Sequence, residues 1–476
     1  MTDDPHSPSP RAMPPLGPPY VSSADRPPPP NFPPSPPEQW LAPPPLLPSP
    51  IATPPSRWTD ERKRRALVGA AVATALAVIL GVVIGSSANQ DPTPTAAPFP
   101  TTTTAEPSFA GPSSTEGSSA SSSAVPTPTT APQDVNAVIL EIEQFVERER
   151  GLKYKQQVAV HLATESEFQA QLFKNFDKER ASLIEEGQVL TATRLLPDGS
   201  DVVADERSLL SIGVVGFYDP ESKELFVRGT ATTPYVRQVL AHELTHALDD
   251  QWFDLNRPQL DNADDETGFA FSALAEGNAR RIENAYLASL SPADQTAAMD
   301  EEQQLVAQHP EVFSLPPILI ALMQAPYDEG PSFVNALLRA GSQQRLDAAF
   351  TNAPTTSEQI INPQKFLAGE GAVPLPTPTA DGPAANQGVL GALLLREMLF
   401  DSLGSGNQVN RAIDGWGGDR YVTWINGTGV CLRDTFVGDS PAETAQLVSA
   451  LTTWAGDHNG SVDAPASGPA TLTVCN

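Results

Sequence analysis

The sequence predicts an α+β fold: a small N-terminal sheet with a site-bearing helix, then a mostly helical C-terminal part. Ahead of these it predicts disordered regions and one transmembrane helix. Three observations carry this. Periodic apolar spacing sets in only near Asp134. The run 66–85 holds twenty residues without a charge, enough at about 1.5 Å per residue to cross a bilayer core. VLAHELTHALDDQ (239–251) joins a helical apolar stripe to two histidines four residues apart, His242 and His246.

Taken in order, residues 1–60 read as a disordered cytoplasmic tail. The first 58 residues hold 22 of the 50 prolines, and proline has no amide to donate to a helix or sheet. A partner of the SH3 or WW kind is the one functional reading for such a tail. ERKRR (61–65) precedes the apolar run and no base follows for a long way, which puts the N-terminus in the cytoplasm and the rest outside. Residues 88–133 are Ser, Thr, Pro and Ala, with nothing to bury a core, and read as a stalk. Residues 134–476 then form the extracytoplasmic domain. The net charge of −28 falls almost wholly on that domain, which argues against nucleic acid as a partner.

Within the domain, DVNAVILEIEQFVERERGL has helical spacing and VAVHL (158–162) alternates as a strand. His161 in that strand reads as a packed or surface residue. Thr164 and Glu167 make a capping-box pattern for ESEFQAQLFKNF. VVGFY and ELFVR flank the turn-like DPESK as a hairpin. Thr233 then offers an N-cap and Pro234 an N1 residue to the helix of the two histidines. GFAFSALAEGNARRIENAYLASL (268–290) is a second strong helix, and the acidic DNADDE (261–266) before it reads as a solvated loop. VLGALLLREMLFDSL (389–403) reads as a core helix, RYVTWIN and TGVCLRDTF as a terminal hairpin, and SPAETAQLVSALTTWA as a last helix. Cys431 and Cys475, the only cysteines, can form one bridge outside the cell.

Chemistry concentrates in His242-Glu243-x-x-His246. Two imidazoles one helical turn apart can hold one Zn²⁺, and the adjoining carboxylate can act as a base on a water there. A hydrolytic zinc needs a third protein ligand. No further histidine follows at short spacing, so a carboxylate is expected: Glu276, between Ala275 and Gly277 on the second helix, with Glu283 as the fallback. Tyr327, Arg420 and Tyr421 are candidate donors to a developing oxyanion, Tyr327 foremost.

The chain resembles a gluzincin-type zinc metallopeptidase, and more closely a group of bacterial, mostly membrane-anchored proteins with the same HExxH pattern. HELTHALDDQ followed by ALAEGNA carries the resemblance. GFYDPESKELFVRG, PYDEGPSFVNALL, TTSEQIINPQKFL and GWGGDRY support it. The resemblance implies a zincin-like fold, one Zn²⁺ per chain on His242, His246 and Glu276, and Glu243 as catalytic base. It also implies a peptide or protein substrate pairing with a sheet edge, for which 224–228 is the candidate strand. Asn278 departs from the aspartate expected after Glu-Gly, and Asp249 or Asp250 can instead orient an imidazole. Two other readings stand beside this one: a zinc-binding envelope scaffold without hydrolysis, and a cell-surface binding module.

Overall fold

Asp134 accepts a hydrogen bond from the amide of Asn136 and so opens helix α1 (Val135–Arg150) of the computed structural model, which describes residues 134–261, 265–404 and 406–476. Strand β1 (Ala159–Ala163) leads into α2 (Glu165–Leu172), where the Glu167 carboxylate accepts from both the amide and the hydroxyl of Thr164. Helices α3 (Phe176–Ala192) and α4 (Val202–Gly213) follow, then the hairpin of β2 (Gly216–Asp219) and β3 (Glu224–Arg228).

The three strands order as β1-β3-β2, with β1 parallel and β2 antiparallel to β3. Strand 224–228 is therefore central, which corrects its expected place at an edge. Its interior residues are buried on both faces: Leu225 and Val227 pack toward α1 and the histidine helix, Phe226 toward α2 and α4. β2 is the edge strand beside the site.

Helix α5 (Pro234–Phe253) begins where Thr233 Oγ1 accepts from Val236 N at 3.2 Å and Pro234 sits at the first turn. After the short α6 (Pro258–Asp261) come α7 (Asp265–Ser289), α8 (Pro292–Ala307) and a 3₁₀ turn, Pro310–Ser314. Helix α9 (Pro317–Thr351) is interrupted at Gly341 and Ser342, whose backbone leaves helical geometry. α7 and α9 cross at two glycines: a Cβ on Gly277 would lie 2.3 Å from the carbonyl carbon of Gly330.

The remainder is α10 (Ser357–Ile361), α11 (Pro363–Ala368), β4 (Ala384–Gly388), α12 (Gly391–Leu403), α13 (Gly406–Ile413), β5 (Trp416–Asn426), β6 (Gly429–Gly438), α14 (Pro441–Asp457), β7 (Ser461–Asp463) and β8 (Ala470–Cys475). The last five strands form an antiparallel sheet, β4-β5-β6-β8-β7, with Trp416, Leu432 and Leu472 packed against Leu399, Leu451 and Trp454 of α12 and α14.

Two corrections to the predicted fold class follow. The C-terminal part is mostly helical but also carries a second and larger sheet, which was not expected beyond one hairpin. Among the described residues no helix is long and apolar enough to cross a membrane. The run expected to do so, 66–85, and the expected tail and stalk lie outside the described residues. What the structure gives is α+β with two sheets.

Candidate metal centre

Helix α5 is buried on nearly every side from Tyr235 to Asp250, so its polar side chains must find partners inside the protein. Val239, Leu240, Leu244, Ala247 and Leu248 anchor it in the core. On its remaining face His242 and His246 bring their Nε2 atoms to 3.0 Å from each other. Glu276 of α7 meets both, its Oε2 lying 3.0 Å from His242 Nε2 and 3.3 Å from His246 Nε2.

These separations test the fit of a cation. Three ligands at the 2.0–2.1 Å bonds of tetrahedral zinc lie about 3.3 Å apart. Two imidazole nitrogens and a carboxylate oxygen converge here at nearly that spacing. Glu276 Oε1 and Glu243 Oε1 are buried without a hydrogen-bond partner among the described residues, an arrangement costly for a carboxylate unless a cation or water faces it. The three residues brought together are the three expected as ligands, and they fit Zn²⁺.

Electrostatics agree with the geometry. Burial opposes a charge on His242, but hydrogen bonds to Glu276 and Glu283 outweigh it and lift the pKa to about 10. Burial would raise Glu276; His246 and His242 instead hold it below the usual carboxylate range. Burial pushes Glu243 up to about 7, against the pull of His242 and His246. Its Oε2 accepts from the amide of Tyr218 on β2 at 2.9 Å, so the edge strand and the base adjoin.

Glu283, the fallback ligand, stands behind the site instead. It accepts from His242 Nδ1 at 3.0 Å, from Gln238 Nε2 at 2.7 Å and from Arg280 at 2.9 Å. Burial raises its pKa, but Arg280 and His242 overcome this and bring it to about 2. It follows Glu276 by seven residues, two turns along the same face of α7, so one helix supplies both the ligand and the group that orients its neighbour. Gln238 precedes His242 by one turn and Arg280 precedes Glu283 by three residues, but only the packing of α7 on α5 joins the two pairs.

Asp249 and Asp250 do not orient the imidazoles through any hydrogen bond seen. Asp249 accepts from Arg150 Nε (2.5 Å) and Asn278 Nδ2 (2.6 Å). Asp250 accepts from Tyr218 Oη, Lys223 Nζ and the Leu255 amide. An aspartate in place of Asn278 would set two carboxylates face to face. Tyr327 of α9 is buried with its ring stacked on His242, centroids 6.0 Å apart. Arg420 and Tyr421 are elsewhere, in β5. Arg420 reaches Thr377 and the Tyr421 hydroxyl accepts from Asn386. Glu266 of the expected solvated loop is buried, accepting from the amide and hydroxyl of Ser357. Cys431 and Cys475 are register partners on β6 and β8 and are joined as a disulfide.

Compared with known proteins, the chain matches no family model, no curated protein and no solved structure.

Proposed function

We propose that this protein is a zinc-dependent peptidase. The observation that carries the reading is the convergence of His242, His246 and Glu276 beside the carboxylate of Glu243. Zinc held by such a set supplies Lewis acidity and lowers the pKa of water, the chemistry amide hydrolysis needs. Glu243, the buried carboxylate beside that set, takes a proton from the attacking water and returns it to the leaving amine. The Tyr218 amide holds one of its oxygens and leaves the other for this transfer. Glu283 keeps the proton of His242 on Nδ1, so that Nε2 presents its lone pair to the metal. An extended substrate pairs with β2, the edge strand next to the base.

The test is cleavage of a peptide library by the zinc-loaded protein and by Glu243→Gln. Hydrolysis that survives the substitution sinks the assignment of the base. Zinc below about half an equivalent after purification sinks the metal site.

A second reading, a zinc centre without hydrolysis, draws on burial. His242, His246 and Glu276 are 1%, 4% and 0% exposed, as in closed structural sites. Zinc retained at one equivalent, with no peptide cut by the wild type and a large fall in melting temperature on chelation, would favour it.

A further inference from the structure

An extended peptide on the open edge of β2 alternates its side chains between the two faces of the sheet. One face looks onto Glu243. The other carries a row of rings with no role in the chemistry above. His161, Phe226 and Phe217 are register partners across β1, β3 and β2, and they stack with centroids 4.8 and 5.3 Å apart. Beside the row, against the corner between α2 and α3, lies an open pocket whose apolar lining includes Leu172, Phe176, Phe217 and Phe226. Its volume is about 80 Å³. Phe217 connects the two features. It lines the pocket, and it sits between Gly216 and Tyr218, the latter being the residue whose amide reaches Glu243.

We propose that this pocket is a specificity subsite that takes one large apolar side chain, of the Leu, Met or Phe class, from a peptide paired with β2. The proposal rests on the peptidase reading and deepens it. Four aromatic or aliphatic side chains offer such a group a dry surface, while a small side chain leaves it unfilled. The polar lining holds four carboxylates against the single ammonium of Lys174, which disfavours an acidic side chain. Because only alternate residues face this side of the sheet, the preference belongs to one position, or to two positions two residues apart, and not to their neighbours.

The experiment uses the full chain loaded with zinc and peptides varied one position at a time through Ala, Leu, Phe and Glu. The expected result is about a 10–100-fold preference in kcat/KM for Leu or Phe over Ala at a single position or an alternating pair. Asn175→Trp fills the pocket from one wall, where its side chain caps nothing in α3, and Ser222→Trp fills it from the exposed turn opposite. Either substitution is expected to abolish the preference through KM, with kcat on the Ala peptide unchanged, which also shows that the variant is folded. A wild type that cuts peptides with a preference unmoved by both substitutions overturns the subsite and leaves the peptidase reading standing. A zinc-loaded wild type that cuts no peptide overturns the peptidase reading and the subsite with it.

Discussion

At the residue scale the proposed metal site would set a proton and a metal in competition. Metal-free His242 holds its charge up to a pKa of about 10, because Glu276 and Glu283 face its two nitrogens. Zinc uptake at neutral pH must displace that proton from Nε2. Affinity is therefore expected to rise about tenfold per pH unit from pH 6 to 9 for each proton displaced, measurable by chelator competition across that range. A flat profile would mean the nitrogen carries no proton to lose. Glu283→Gln keeps the shape behind His242 and removes the charge. Zinc affinity is expected to fall about 10–100-fold, with the chain still folded by circular dichroism. Asn278→Asp tests the other network. Asp249 already pairs with Arg150, which lies against the rings of Phe253 and Phe350. A second carboxylate in place of the Asn278 donor is expected to lower unfolding stability by about 1–3 kcal/mol in a urea titration, and no change would show that Asn278 is replaceable.

Among elements, the decisive contact is the crossing of α7 and α9. Gly277 adjoins the ligand Glu276, and Gly330 lies three residues past Tyr327, so the two glycines set how closely the ligand helix approaches the helix carrying that tyrosine. Gly277→Ala must push the helices apart, since backbone and not a flexible side chain stands 2.3 Å away. The expected outcome is a loss of about 1–3 kcal/mol in stability together with weaker zinc binding. Retained zinc affinity at the wild-type level would uncouple the crossing from the site. Much at this scale was legible in local pattern. Thr233-Pro234 starts α5, the Thr164–Glu167 pair caps α2, and the DPESK turn joins β2 to β3. Helix α4 and most of α3 were not read. Their hydrophobic stripes are interleaved with charge, and their burial comes from the sheet and from Ile318–Ile320 of α9 rather than from a strong local pattern.

Across the whole molecule, the five-stranded sheet is tied to the ligand helix by buried polar contacts. Ser357 links Glu266 of α7 to the Leu393 amide of α12, and Asp419 of β5 accepts from the amides of Leu390 and Gly391. Three segments that look unrelated in sequence, around Glu266, Ser357 and Asp419, thus meet in one region. The Cys431–Cys475 bridge closes a loop of 44 residues at the end of that sheet opposite Asp419. Replacing both cysteines with alanine is expected to lower stability by about 4 kcal/mol on the loop-entropy relation while zinc content stays at one equivalent. Loss of zinc in that variant would show the sheet to be coupled to the site.

The sequence alone determined what depends on near neighbours. The histidine spacing, the carboxylate between them and the caps of their helix are local features, legible from near neighbours. The carboxylate expected as third ligand was legible from its small neighbours on a second helix. Tertiary structure decided the rest, because it depends on which distant segments pack together. β1 pairs with β3 from sixty-five residues upstream and turns an expected edge strand into a central one. Glu283 becomes the partner of a ligand rather than a ligand, since two turns of α7 carry it behind His242. The C-terminal hairpin gains three further strands whose short, mixed sequences show no shared pattern until they are hydrogen-bonded side by side.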